Sequence, residues 1–413
     1  MKYLLTFLAA ALMLTACQSE EEPIIEPDID RTASRTVIFY VSGENDLSIF
    51  AASDTAEIAK GSVNLKDNQH CIAFIDLAEK NIGPSIWEFK GGKRELVMQY
   101  EQDFYNSDPR KMKEVLNWII NKYPAKSYGL VLWGHASAWY NKNDSVDVSK
   151  EISYYQAPRR SYGRDSGDNT SDSKKGLVIN IPSMAQVLEN LSAKLDFIFC
   201  DCCNMANAAT AFELRKSANL LIASPAEIPG TGAPYDKILP GLFSTQSDYY
   251  KEVVDPYVED ANNKLPMAVI QLNQMEQFAA ATATILQTIN PTRDAELNFN
   301  NLIYYDGSKS SGVRLLYDIK DFMLANSAPA AYSVWETSLN KTVVYRQCTD
   351  NKTWTTSGHV NFDDFKMSAD RCACFSAHIP LEQHELNSYS RGLNTYFRKM
   401  QWFWAVNWDA YGW

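Results

Sequence analysis

A thiol and an imidazole, each at the end of an apolar run, are the chemically most telling residues of this chain. Phe197-Ile-Phe-Cys-Asp-Cys-Cys-Asn-Met205 and Leu130-Val-Leu-Trp-Gly-His135 both begin as short apolar segments and stop at reactive side chains. A strand buried on both faces reads as a continuous apolar run, and in open α/β sheets the functional groups lie just past the carboxyl ends of the strands. On that reading His135 and Cys203 meet at one edge of a sheet. An imidazole that takes the thiol proton and later returns it to a leaving amine is the minimum for nucleophilic acyl transfer. The pair therefore predicts the chemistry of a cysteine peptidase.

The elements that must position the pair follow from periodicity. Residues 36–42, 71–76, 128–133, 197–200 and 219–224 read as buried strands by their β-branched and aromatic content. Met112, Val115, Leu116 and Ile119 fall at helical spacing between 109 and 123. Ser183-Met-Ala-Gln186 matches a capping box, followed by a helical face of Met184, Val187, Leu188, Leu191 and Leu195. His135 and Cys203 lie 68 residues apart, room for a loop, a helix and a return strand, as a right-handed parallel crossover requires. Residues 205–216 read as a helix, 229–234 as a loop, and the polar stretch 141–175 as a long surface loop. Beyond residue 247 the pattern predicts a strand at 266–272, helices at 275–289 and 313–324, and a strand at 372–378. Tyr389, Leu393, Tyr396, Phe397, Met400 and Trp404 share one helical face, so the aromatic tail is expected to pack in the core. The expected fold is α/β, a doubly wound, mostly parallel sheet flanked by helices with a packed α+β carboxyl-terminal region.

The amino terminus reads as an export signal. Residues 1–16 carry one early lysine, an apolar core and small residues before Cys17. Leu14-Thr-Ala-Cys17 resembles a bacterial lipobox, in which Cys17 is acylated, and the acidic Gln18-Ser-Glu-Glu-Glu22 resembles a surface-display signal. The expected location is therefore the outer membrane, on its exposed face, with 17–34 as a flexible acidic tether. The formal charge of −11 leaves no concentrated basic surface, which argues against nucleic acid as a partner. Seven cysteines follow Cys17, an odd number, so at least one thiol stays unpaired within a monomer. Cys200, Cys202 and Cys203 are too crowded for the usual zinc spacing. No metal site is expected and no cofactor is indicated, calcium included.

These residues resemble one family. Val37 to Leu47 with its Asn45-Asp46-Leu47 ending, Leu130 to His135, Asp201-Cys-Cys-Asn-Met205, and Ile228-Pro-Gly-Thr-Gly-Ala-Pro-Tyr235 are similar to the clostripain family of cysteine peptidases. The similarity runs from about residue 35 to the carboxyl terminus. It implies a caspase-like fold, with a catalytic core at 35–246 and a packed extension at 247–413, acting as a monomer on polypeptides after basic residues. The family's Asp-x-Cys-x-Met motif selects Cys203 as nucleophile, because Asp201 stands two positions before it and Met205 two after. His135 takes the base position, the backbone N–H groups of Ala136 and Cys203 the oxyanion positions, and Asp201 the substrate pocket. Three departures stand out. Ala136 replaces the family's glycine, Thr231 stands where the Pro-Gly loop carries a second acid, and Ala233 stands where an aromatic is common. A one-residue shift in that loop would make Glu227 the second acid. The rival reading is a catalytically silent surface binding lipoprotein.

Overall fold

In a computed structural model of the chain, the described residues are 33–80, 82–139, 161–167, 171, 176–261, 265–308, 312–347, 367–368, 370–387 and 390–413. The leader, Cys17, the tether up to residue 32, most of the polar 141–175 stretch, Cys348, His359 and Tyr389 lie outside them.

Strands β1 (Arg35–Gly43) and β2 (Gln69–Leu77) are joined by helix α1 (Ser48–Gly61), and the hairpin β3 (Ser85–Lys90) and β4 (Lys93–Gln99) follows. Helix α2 (Pro109–Lys122) leads into β5 (Tyr128–Gly134), the short hairpin β6 (Tyr162–Asp165) and β7 (Leu177–Ile179) comes next, and α3 (Ile181–Glu189) feeds β8 (Leu195–Asp201). Then come α4 (Ala208–Glu213), β9 (Ala218–Ala223), α5 (Tyr235–Phe243), α6 (Lys251–Asp260), β10 (Met267–Gln271) and α7 (Met275–Ile289). The remainder holds β11 (Tyr304–Ser308), β12 (Val313–Asp318), α8 (Ile319–Asn326), α9 (Pro329–Thr342), β13 (Val343–Gln347), β14 (Ser376–Ala377) and short carboxyl-terminal helices.

Among the described residues, nine strands form one sheet in the order β13-β10-β9-β8-β5-β1-β2-β3-β4. The central β9, β8, β5, β1 and β2 run parallel. Antiparallel strands close both edges. Every residue of β1 and of β5 is buried, the burial expected of strands covered on both faces. Alternate residues feed two cores: Ile38 and Tyr40 meet Met112, Leu116, Met184 and Leu188 on one face, while Val37 and Phe39 meet Ile58, Ile238 and Tyr257 on the other. The five predicted buried strands are the five parallel ones, and the architecture is the expected doubly wound α/β sheet. Strands β10 and β13 continue that same sheet into the carboxyl-terminal half.

Four local expectations are corrected. Residues 313–324 are not one helix: Val313–Asp318 pairs with β11 as a strand, and the helix starts only at Ile319, capped by the Asp318 carboxylate. Helix α3 starts before the predicted capping box, because Asn180 accepts the Ser183 N–H at 2.9 Å and Pro182 occupies the first turn. The predicted strand at 372–378 is reduced to Ser376–Ala377, since Cys374 adopts a left-handed φ of 50°. The aromatic tail is broken between Leu393–Phe397 and Gln401–Ala405. Trp402, Trp408 and Trp413 are buried, but Trp404 is left 54% exposed.

Candidate active site

The β5–β8 register sets the geometry. Leu132 stands beside Cys200 and Trp133 beside Asp201, so His135 and Cys203, each two residues past that pair, leave adjoining strand ends about 4.8 Å apart. Gly134 makes the exit from β5 feasible: its φ is +140°, and a Cβ there would stand 2.7 Å from the Ser42 carbonyl oxygen. On the β8 side Asn204 turns the chain with φ 62° and donates its N–H to the Ala226 carbonyl at 2.9 Å. His135 and Cys203 line one cavity of about 400 Å³, together with Ala136, Trp133, Asp201 and Gly232.

Of the three clustered thiols, Cys200 and Cys202 are buried in the apolar core, and only Cys203 has surface on the cavity. The six described cysteines are outside any disulfide. The Cys203 sulfur accepts the Ile228 N–H at 3.4 Å. Burial, and then the charge of Glu227, push its thiol up to about 12. A thiol raised in this way is mostly neutral near pH 7 and becomes nucleophilic only when a base takes its proton.

His135 is half-buried, and its Nε2 donates to Asp46 Oδ1 at 2.7 Å. That assignment of the proton follows from the acceptor, since an ionised carboxylate only accepts. Asp46 lies in the turn after β1, and β1 is the sheet neighbour of β5, with Ser42 beside Gly134. The histidine hydrogen bond, first of all, holds the Asp46 carboxyl below its usual range, and Arg164 reaches within 3.7 Å of it. With Nε2 occupied, Nδ1 is left as the acceptor nitrogen of the ring. Asp46 entered the sequence reading only within the Asn45-Asp46-Leu47 stretch of the resemblance, with no role assigned, and its partner lies 89 residues away.

Ala136 forms an isolated antiparallel bridge with Tyr162. The bonds on either side run from Gly163 N–H to the His135 carbonyl and from Ser137 N–H to the Ser161 carbonyl, so the Ala136 N–H is left out of the ladder. Ala136 is not among the residues with positive φ, so its methyl group causes no backbone strain.

Asp201 is buried at the cavity floor. Its Oδ2 accepts from Tyr235 Oη at 2.5 Å and Ala233 N–H at 3.0 Å, and its Oδ1 from Tyr257 Oη at 2.7 Å. Burial raises its pKa, and these hydrogen bonds oppose that rise. Thr231 is exposed on the loop while its neighbours Gly230 and Gly232 line the cavity, and Glu227 lines it near Cys203. A second acid not singled out by the sequence lies close by: Asp54 of α1 accepts the Trp133 indole N–H at 2.6 Å. Among the described residues, Glu44, Asp76 and Asp103 are the acids grouped closely enough to hold a metal ion, their oxygens within 4.8 Å of one another. His378 and His384 are buried with their rings tilted against each other, centroids 5.0 Å apart, in the carboxyl-terminal core, where burial lowers their pKa values to about 4 and about 3.

A parallel sheet with a thiol and an imidazole at adjoining strand ends defines a cysteine protease of the caspase-like class. The model of the clostripain family matches residues 39–411, and the chain belongs to that family. Among solved structures it is similar to a secreted C11 cysteine protease from Bacteroides thetaiotaomicron in complex with an irreversible peptide inhibitor, at 25% identity and a TM-score of 0.73, covering 92% of this chain and 100% of that one. An inactive zymogen C11 protease from Parabacteroides distasonis shares the fold at 21% identity and a TM-score of 0.69, with 91% and 98% covered. A second secreted C11 cysteine protease from Bacteroides thetaiotaomicron does so at 16% identity and 0.69, with 91% and 99% covered. No match is found among curated proteins.

Proposed function

We propose that this cysteine protease is an exported, lipid-anchored endopeptidase that uses Cys203 and His135 as a dyad and prefers basic residues at P1. The observation that supports the reading is that His135 and Cys203 follow the adjoining ends of β5 and β8 and line one cavity together with Asp201. As Cys203 Sγ attacks the scissile carbonyl carbon, its proton passes to Nδ1 of His135. The N–H groups of Ala136 and Cys203 take the oxyanion, and Asp46 holds the imidazole through Nε2. Collapse of the tetrahedral species expels the amine, which takes the proton back from His135. Water, activated by the same imidazole, then hydrolyses the thioester. The upward push on the Cys203 thiol favours general-base transfer during attack over a standing thiolate.

A library of peptides varied at P1 tests the specificity. Asp201→Asn is expected to lower kcat/KM for arginine peptides about 5- to 150-fold more than for peptides with an uncharged P1, the loss for one charge-assisted bond of about 1–3 kcal/mol. Equal losses on both peptide types would take Asp201 out of the pocket.

The anchor rests on the Leu14-Thr-Ala-Cys17 pattern. Among the described residues no helix is long and apolar enough to cross a membrane. Cys17→Ser is expected to move the exported protein from the membrane to the soluble fraction, because acyl chains supply about 0.8 kcal/mol per buried methylene. Retention of that variant in washed membranes would contradict the anchor, and protection of the native protein from protease on intact cells would contradict surface display.

A further inference from the structure

Two buried acids stand behind the part of the cavity wall formed by Gly232 and Trp133, and one of them, Asp201, also lines the cavity. Asp54 of α1 is 3% exposed and Asp201 of β8 is 2% exposed. A Cβ on Gly232, whose φ is +68°, would stand 2.8 Å from Asp54 Oδ2, 2.9 Å from Asp201 Oδ2 and 3.4 Å from Trp133 Nε1. The two carboxylate oxygens thus converge on Gly232, a position of the Pro-Gly loop where no side chain stands, beside cavity-lining Trp133. Asp54 Oδ1 is buried and accepts no hydrogen bond. Neither acid has a cationic partner among the described residues. Buried carboxyls without a cation do not both ionise: one keeps its proton.

The surroundings decide which. Asp201 receives three hydrogen bonds and Asp54 one. Burial, and then the charge of Asp201, push the Asp54 carboxyl up to about 8; Glu57 on its own helix adds to the rise and the Trp133 indole opposes it. The phenols of Tyr235 from α5 and Tyr257 from α6, which face both acids, are held neutral, their pKa values raised well above the usual by burial. Burial and the neighbouring Asp201 charge thus favour the protonated form of Asp54 at neutral pH, while three donated hydrogen bonds favour the charged form of Asp201.

We propose that Asp54 is the second acid of the specificity pocket, and that a P1 cation enters by displacing the proton Asp54 holds, which leaves to solvent. The bound state has two carboxylates against one guanidinium or ammonium, and the planar fork of arginine suits two acceptors from different directions. This rests on Asp201 being the pocket acid and goes further in two respects: it replaces the loop position with a helix residue, and it makes selectivity depend on pH. Below the titration of Asp54 each pH unit costs about tenfold in cation binding, because the proton must first be removed, and above it the selection levels off.

The test compares kcat/KM for two peptides identical except for arginine or its neutral analogue citrulline at P1, across about pH 6 to 9, so that the ionisation of the thiol and imidazole cancels in the ratio. In the native enzyme the ratio is expected to climb by roughly tenfold per pH unit and level off above about pH 8. Asp54→Asn, which keeps an acceptor for Trp133, is expected to give a lower and pH-flat ratio. Calorimetry on the full chain carrying Cys203→Ala gives a reading with the pocket intact: in buffers of different ionisation enthalpy, the arginine peptide should release close to one proton at about pH 7 and the citrulline peptide almost none. A pH-flat native ratio, an Asp54→Asn ratio that follows the native one, or binding without proton release overturns the proposal. Should the native enzyme not favour arginine at any pH, the basic-P1 reading falls with it. Should it favour arginine in an Asp201-dependent but pH-independent way, only the role of Asp54 falls.

Discussion

Replacing Cys203 with alanine is expected to lower kcat/KM for peptide hydrolysis by about 10³- to 10⁶-fold, the range seen when a nucleophile is removed from a unit that works with its base. The site's geometry makes the effect selective. Cys200→Ala and Cys202→Ser should keep most of the activity, because both thiols face the apolar core and not the cavity. The cost of those changes appears in stability: a cavity for the first, and for the second a buried hydroxyl worth about 1–3 kcal/mol. Peptide hydrolysis measured beside thermal unfolding separates the two effects. Activity surviving in Cys203→Ala would end the assignment. Since burial holds the Cys203 thiol neutral, a small alkylating reagent should label the resting enzyme slowly at neutral pH and faster as the pH rises, while a peptide that places its electrophile beside His135 should label it quickly.

The second large effect falls on the histidine and the residue that orients it. His135→Ala should cost a factor similar to that of Cys203→Ala, and the double variant little more, because the two groups act in one step. Asp46→Asn is the sharper test of the structure. An amide in place of the carboxylate can turn its NH2 toward Nε2, which favours the tautomer with the proton on Nδ1, the nitrogen needed as acceptor. The Asp46 side chain is half-exposed, so water replaces part of what is lost, and the expected fall in kcat is about 10²-fold with KM little changed. Asp46→Glu should recover part of it. Equal damage from the amide and the longer acid would give Asp46 a role in the turn and not in the tautomer. The Asp46 carboxyl is depressed, so its contribution is fully present above the usual carboxylate range and is lost as the pH falls through its lowered value. It does not titrate near neutrality, where the enzyme is assayed.

What the sequence by itself determined is what a strand covered on both faces must look like. Five continuous apolar runs became the five parallel strands, and the residues where two of those runs stop, His135 and Cys203, line one cavity past the β5–β8 ladder, which is in register up to Trp133 and Asp201. Where a short apolar run satisfies either period, local pattern did not arbitrate. Val313-Arg-Leu-Leu-Tyr-Asp318 has helical and strand spacing alike, and the antiparallel partner β11 settles it. The acids show the sharper division. Asp201 was marked by its place two residues before Cys203, and Asp46 stood in the Asn45-Asp46-Leu47 stretch of the resemblance, but nothing local gives Asp46 its histidine partner or distinguishes Asp54 from an ordinary helix carboxylate. They gain their roles only because the strand order sets β1 beside β5 and lays α1 against the Pro-Gly loop. Asp46 then lies 89 residues from the histidine it holds, and Asp54 lies 79 residues from the indole that binds it. Burial in that company, and not residue type, decides which carboxyl ionises and which keeps its proton.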